Sequence, residues 1–471
     1  MVPTLDTGNN AWLLASAALV LLMTPGVAFF YGGMVRRKSV LNMMMMSFSA
    51  MGVVGIVYVL WGYSMSFSPN VAGGLFGDPA TAFGMKGLFP EGVNADGIET
   101  VANSVLSGSG VSSMAFVAFQ LTFAIITVAL ISGSVADRMK FSTWLVFSGV
   151  WVTLVYFPMA HMVWGGGLLS GWENGIAAKL FGTTDGVASV APIDFAGGTV
   201  VHINAGVAGL MLALLLGKRR GFGKEPMRPH NVPYTMLGAA LLWFGWFGFN
   251  AGSAGAANGL AGLAWLNTST ATSAAMLGWL AVEMIRDKHA TGVGAASGVV
   301  AGLVAITPAA GALSPVGAIA LGLVAGVICA LAVGLKYRLG YDDSLDVVGV
   351  HLVGGIIGTV GIGFLGTDTG LFYGGGGKQL VVQIVIAACA IVFSAVLTTV
   401  IGLALKYTMG LRADEENEAD GLDITVHGES AYDTEGSVGS GGSGGTLAGR
   451  PKPTSSSARD GEESSKEEVN A

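Results

Sequence analysis

Charge is what this 471-residue chain has least of. Only 11% of its residues are Asp, Glu, Lys or Arg, against about 25% in a soluble domain, which excludes an ordinary water-soluble surface. Cysteine is scarce as well. Cys329 and Cys389 are the only two, and both lie in apolar stretches, so no disulfide framework is expected. The first ten residues, M-V-P-T-L-D-T-G-N-N, carry no basic patch of the kind a cleavable leader needs, and the first apolar stretch is expected to act as its own insertion signal. The chain is too apolar, and too long between charges, for the alternation of a membrane β-barrel.

What is present is hydrophobic and small: 52% apolar residues and 74 glycines. In lipid, small residues let helix backbones approach closely, and packing then holds the bundle. Residues 7–35, 39–77, 101–136, 141–172, 195–217, 347–367 and 379–405 each carry no charge, and 231–282 and 290–335 are uncharged over lengths that suit two crossings apiece. A spanning helix takes roughly 20 residues. The expectation is an all-α polytopic membrane protein with eleven transmembrane helices, at about 12–35, 41–67, 111–136, 143–168, 195–217, 232–255, 263–285, 291–310, 316–335, 347–365 and 378–406.

Lys and Arg set the orientation. Alternate loops and the end of the last span hold 16 of them, from Arg36 and Arg37 through Lys218, Arg219 and Arg220 to Lys406 and Arg412, while the opposite loops hold only Lys86, Lys179 and Lys378. The N-terminus is therefore expected outside and the C-terminus inside, as an odd number of spans requires. Three regions follow: a transmembrane domain over 1–409, a cytoplasmic segment over 410–434, and a polar, Gly/Ser-rich tail over 435–471 that is expected to be disordered.

The stretch D-F-A-G-G-T-V-V-H-I-N-A-G-V-A-G-L, residues 194–210, sets His202 inside a span. A second version, D-V-V-G-V-H-L-V-G-G-I-I-G at 346–358, does the same for His351. Glycine follows each histidine at the fourth and seventh positions, as Gly206 and Gly209, then Gly355 and Gly358. Two similar halves of five helices each must have opposite topologies, an inverted repeat of helices 1–5 and 6–10 with its site near the midplane. Helix 11 is left to pack around the outside.

Ionisable groups inside a span are costly and usually functional. If His202 and His351 face each other, a buried neutral pair offers one donor and one acceptor nitrogen in an apolar tube, which suits a small polar solute and a proton hop. No metal site is expected, because further ligands are missing. His161 in P-M-A-H-M-V-W reads as a bond to a neighbouring helix, and His230, His289 and His427 read as solvated. Trp164 in W-G-G-G reads equally as an interface anchor or as a ring attracting a cation. Ser253 adds a hydroxyl acceptor. Phe123 in F-Q-L-T-F and Phe249 in W-F-G-F-N-A-G-S read as packing or as an apolar gate. Asp194 and Asp346 each read as a helix cap, and Asp194 also as an acid that shapes a vestibule.

These segments resemble the ammonium transporter (Amt/Mep/Rh) family over about residues 10–432. The resemblance is carried by F-Y-G-G (30–33), A-H-M-V-W-G-G-G (160–167), the two histidine segments, W-F-G-F-N-A-G-S, and a tail with G-L-R (410–412), G-L-D (421–423) and H-G-E-S-A-Y (427–432) that looks like the Amt branch. It implies an eleven-helix protomer, a homotrimer, one pore per protomer, and no cofactor. It also implies an outer ammonium site at Trp164, Phe119 and Ser253 with Asp194 as its structural acid, a gate at Phe123 and Phe249, and a pore lined by His202 and His351. A trimeric PII signalling protein docking at the cytoplasmic face is implied too, and no nucleic acid partner. An apolar pore imposes several kcal/mol of desolvation on any ion; ammonium escapes it by shedding a proton and potassium does not. Uptake of ammonium into the cell through the plasma membrane is the function expected. A sensor signalling through its tail and a membrane enzyme are the alternatives. The Gly/Ser-rich tail is short for a signalling domain, and no nucleophile or metal constellation is present for an enzyme.

Overall fold

A backbone in hydrocarbon must satisfy its own N–H and C=O groups, which leaves the helix as the one open-ended solution. The structure, a computed structural model, describes residues 5–88, 106–225 and 227–432. Its long helices are α1 (Thr7–Met34), α2 (Arg37–Phe67), α3 (Ser113–Val135), α4 (Phe141–Trp164), α5 (Gly198–Leu216), α6 (Val232–Ala251), α7 (Gly259–Arg286), α8 (Gly292–Ala309), α9 (Pro315–Leu339), α10 (Val348–Leu365) and α11 (Lys378–Thr408). Among the described residues, all of these except α7 are long and apolar enough to cross a membrane, ten in number. With 28 residues, α7 has the length, but its centre is polar. Those polar groups turn inward: Asn267 donates to the carbonyls of Ala310 and Leu313 at 2.9 and 2.8 Å, and the Thr268 hydroxyl accepts from Asn250 Nδ2 at 2.9 Å. The chain is an all-α, multi-pass membrane protein.

Helix starts follow capping chemistry. The side chains of Asp6, Ser112, Asn231, Asn258, Thr291 and Ser314 each accept from a first-turn N–H of α1, α3, α6, α7, α8 and α9. Pro25 lies inside an unbroken α1. α1 runs along α6, α7 packs on α8 and α9, and α11 lies against α5 and α10. Only 33% of the spanning window of α11 is buried, so most of it faces outward, as expected of a leftover helix.

Five spans contain a π turn: Tyr58–Gly62 in α2, Val152–Tyr156 in α4, Gly198–Ile203 in α5, Phe247–Ala251 in α6 and Val348–Leu352 in α10. Such wide turns are rare and concentrate at functional sites. The last three carry His202, Phe249 and His351.

Residues 410–431 belong to the same unit as the bundle and fold back onto its loops. Lys140 N–H donates to Leu411 O at 2.9 Å and Ala413 N–H to Arg138 O at 2.8 Å. Arg412 pairs with Glu418 at 2.6 Å, and Glu418 also accepts from Arg220 N–H at 2.8 Å. The Asp423 carboxylate accepts from the N–H groups of Leu41 and Asn42, at 3.0 and 2.8 Å, and so caps the start of α2. His427 was expected to be solvated. Instead its Nε2 lies 3.1 Å from Asn42 Oδ1 and its ring stands edge-on to Phe141, because the tail docks. His230 is likewise half-buried, with Nδ1 3.2 Å from Val35 O. His289 is exposed. The expected tail over 435–471 lies outside the described residues.

Candidate functional site

Of the two histidine helices, the first begins as its sequence suggests, with Asp194 as cap, and the second does not. Before α5, Gly197 takes a φ of +116°, a left-handed turn that favours glycine. It brings the Asp194 carboxylate under the first turn. There the two oxygens accept from the N–H groups of Gly197 at 2.9 Å, Gly198 at 2.5 Å and Thr199 at 2.9 Å, and from the Thr199 hydroxyl. Before α10, the cap is Asp343 and not Asp346. Asp343 accepts from Val348 N–H at 2.7 Å and from the Ser134 hydroxyl at 2.9 Å. Asp346 has a φ of +65° and pairs with Lys336 at 2.7 Å. The matching acids therefore lie eight residues before each histidine, Asp194 for His202 and Asp343 for His351. Beside Asp343, Arg138 and Arg219 both face Asp342. Burial pushes the Arg138 guanidinium down to about 10, with Asp342 opposing the fall, so it stays charged at neutral pH.

Close approach of α5 and α10 joins the histidines. A Cβ on Gly206 would lie 2.5 Å from Leu352 N, and one on Gly355 would lie 3.0 Å from Ile203. With those positions bare, His202 Nδ1 and His351 Nδ1 come within 3.3 Å and the rings lie nearly parallel, 16° apart. Two Nδ1 atoms at this distance share one proton, one as donor and the other as acceptor. His202 also stacks on Trp246 at 13°, and the Trp246 indole N–H donates to Thr307 Oγ1 at 2.8 Å. That stack fixes the ring plane. Among the described residues, His202 Nε2 has no hydrogen-bond partner. Both imidazoles are buried.

Next to the histidine pair stand Phe123 and Phe249, stacked face to face with centroids 4.1 Å apart and planes 14° apart. Phe249 is 6.1 Å from the His202 ring, and Phe123 is 6.1 Å from the Trp164 ring, edge to face. Beyond the phenylalanines opens a cavity of about 260 Å³, lined by Phe119, Gln120, Trp164, Phe195, Ser253 and others. Here the Ser253 hydroxyl donates to Phe249 O at 2.8 Å, which leaves its lone pairs as acceptors. The Trp164 indole N–H donates to the Asp194 carbonyl at 2.9 Å, so its ring is held by the backbone of the residue that caps α5. Thus Trp164, Phe119, Phe123 and Ser253 share one cavity. Asp194 lies behind it, with its carboxylate turned to the helix start. Three more groups belong to the site: Trp246 behind His202, and Gln120 and Phe195 on the wall. Trp246 opens the W-F-G-F segment and Gln120 sits within F-Q-L-T-F, but neither segment says which side faces the path. Among the described residues, no group of His, Cys, Asp and Glu could hold a metal ion.

Ring contacts thus link Trp164 in the cavity to Phe123, Phe249, His202 and His351 in turn, and comparison with known proteins decides the family. The profile of the Ammonium Transporter Family matches residues 11–432. The chain belongs to this family. It is 53% identical over 445 residues to the ammonium transporter of Mycobacterium tuberculosis, covering 91% of each chain. It is 47% identical to that of Aquifex aeolicus, covering 91% of this chain and 94% of the relative, and 44% identical to that of Bacillus subtilis, covering 91% and 99%. Among solved structures, it resembles Candida albicans Mep2 with a TM-score of 0.75 at 31% identity, over 88% of each chain. It also resembles a sensor Amt protein with a TM-score of 0.76 at 28% identity, over 89% of this chain and 98% of that one. The His202–His351 pair is the twin histidine of an ammonium transporter, a membrane protein and not an enzyme.

Proposed function

We propose that ammonium is recruited in the cavity at Trp164, Phe119 and Ser253, releases a proton beside Phe123 and Phe249, and crosses as ammonia past His202 and His351. The face of Trp164 attracts the cation, the Ser253 lone pairs accept an N–H, and Asp194 keeps the indole in place. Ammonium then divides into ammonia and a proton. Ammonia passes through the apolar tube, while the proton moves along the shared Nδ1 pair and rejoins ammonia on the far side, so one positive charge crosses per cycle. Potassium has no proton to shed and meets the full desolvation cost.

The observation that carries this reading is the succession of ring contacts from the cavity at Trp164 through the stacked phenylalanines to the coupled imidazoles. The excess of basic residues in alternate loops supports an N-out, C-in orientation in the plasma membrane, and hence uptake. The family resemblance supports a homotrimer with one pore per protomer. The G-L-D and H-G-E-S-A-Y segments, docked on the loops of α2 and α4, support regulation by a PII signalling protein at that face. The test is current from purified protein in liposomes on ammonium jumps, with potassium as control. Ammonium current without potassium current is expected. Replacing His202 or His351 by an aliphatic residue is expected to abolish the current or admit potassium, and unchanged current and selectivity in both variants would overturn the reading. Absence of flux in the unaltered protein would favour a sensor.

A further inference from the structure

The mechanism uses two buried histidines and leaves a third, His161 on α4, without a part. His161 is fully buried, three residues before Trp164. Its ring is held at both nitrogens. Nδ1 lies 3.1 Å from Ser66 O, at the end of α2, and Nε2 lies 2.6 Å from Asn70 Oδ1. Asn70 opens a small hairpin, Asn70–Val71 with Phe76–Gly77. Its amide nitrogen donates to Gly166 O at 3.2 Å. His161 O in turn accepts from the N–H groups of Gly165 and Gly167, at 3.0 and 3.1 Å. One ring therefore ties α2, the hairpin and the glycine turn that carries Trp164.

The donor count decides what this ring is. Ser66 O is a backbone carbonyl and only accepts. Asn70 spends its amide nitrogen on Gly166 O, also a carbonyl, so its oxygen is what faces Nε2. A neutral imidazole has one N–H and can serve one of these two acceptors; an imidazolium serves both. Turning the Asn70 amide over does not help, because its oxygen would then face Gly166 O. Burial opposes the charge, and two aligned acceptors favour it. Among the described residues, no carboxylate is bonded to the ring. Among the charged groups of the surrounding segments, Lys179 is exposed on the crevice that Asn70 and Gly166 line, and the carboxylate of Asp78, just after the hairpin, is taken by Ala80 N–H and the Thr81 hydroxyl.

We propose that His161 is a proton-controlled positioning residue for the recruitment cavity. Protonated, it clamps the hairpin to the Gly165–Gly167 turn and fixes the Trp164 ring; neutral, it loses one tie and the rim loosens. This rests on the reading of the cavity as the ammonium site, since its consequence is a pH-dependent affinity for ammonium. The experiment measures the half-saturating ammonium concentration of the current across a pH series, with the ammonium ion concentration held constant in each comparison. The unaltered protein should show tighter half-saturation in acid, in one titration step.

Asn70→Asp gives the imidazolium a carboxylate partner and should move that step up by about one pH unit or more. His161→Asn keeps a donor for Ser66 O but does not titrate, and it should abolish the step while current persists. Neither variant touches the His202–His351 pair, so a step that belongs to that pair would survive both. A step unmoved by Asn70→Asp, or one that persists in His161→Asn, overturns the proposal. Should the unaltered protein carry no ammonium current, the transport reading fails, and the clamp is read by hydrogen exchange of residues 70–77. Protection there should rise in acid in the unaltered protein and stay flat in His161→Asn, and equal pH dependence in the two overturns the proposal.

Discussion

At the scale of single residues, the recruitment proposed above separates groups that would touch the cation from groups that hold those groups. Ser253 is of the first kind. Its proton is committed to Phe249 O, so its lone pairs are all it can offer, and a hydrogen bond to a charged partner is worth about 1.5–3 kcal/mol. Ser253→Ala should raise half-saturating ammonium by roughly tenfold or more, with maximal current little changed, as read from concentration series in liposomes. Asp194 holds. Its carboxylate serves the N–H groups that start α5, and its carbonyl holds the Trp164 indole. Asp194→Ala strands several buried donors, each worth about 1–3 kcal/mol. It should lower the melting temperature of the purified protein as well as the current, whereas Ser253→Ala should leave the melting temperature where it was.

At the scale of elements, the contact of the two histidines is a property of how α5 and α10 cross. Gly206 and Gly355 are the contact points, and adding even one methyl group to a packed core typically costs 1–3 kcal/mol through backbone shifts. Gly206→Ala should push the helices apart and lengthen the His202–His351 contact. We expect lost current or admitted potassium with both histidines intact, while ammonium binding at the cavity is preserved, a pattern that separates the crossing from the cavity. This crossing was legible in the sequence, because the glycine spacing after each histidine repeats. The spans were legible too, since length and the absence of charge suffice to define them, and their ends fall within a few residues of those expected. Three things were not legible. The π turns that aim His202, Phe249 and His351 have no composition cue. The counterpart of Asp194 in the second half is Asp343, which lies outside the repeated segment that Asp346 leads. The groups that satisfy Asn267 and Thr268 in the polar centre of α7 come from neighbouring segments, which sequence alone does not supply.

At the scale of the whole molecule, the segment after α11 is part of the bundle's cytoplasmic surface under the orientation proposed here. The sequence set residues 410–434 apart as a cytoplasmic segment and read His427 as solvated; in the structure Leu422 and Asp423 are buried and the segment touches the start of α2, the loop before α4 and the loop after α5. Its anchor is Asp423, which caps α2 from a distance of nearly the whole chain. Removing a side-chain cap costs about 0.5–2 kcal/mol, and here the loss falls on the stretch beyond Glu418, which is held by Arg412 and Arg220. Asp423→Ala should therefore loosen residues 421–431 without unfolding the bundle. Limited proteolysis should cut the tail several-fold faster, and hydrogen exchange at Leu41 and Asn42 should rise, with the melting temperature of the helices unchanged. If the docked tail also steadies the inner ends of α2 and α4, the same variant should depress maximal current while leaving half-saturating ammonium as it was, because the recruitment cavity lies at the far end of the pore. A change in half-saturation alone would place the coupling in the cavity and refute this division of labour.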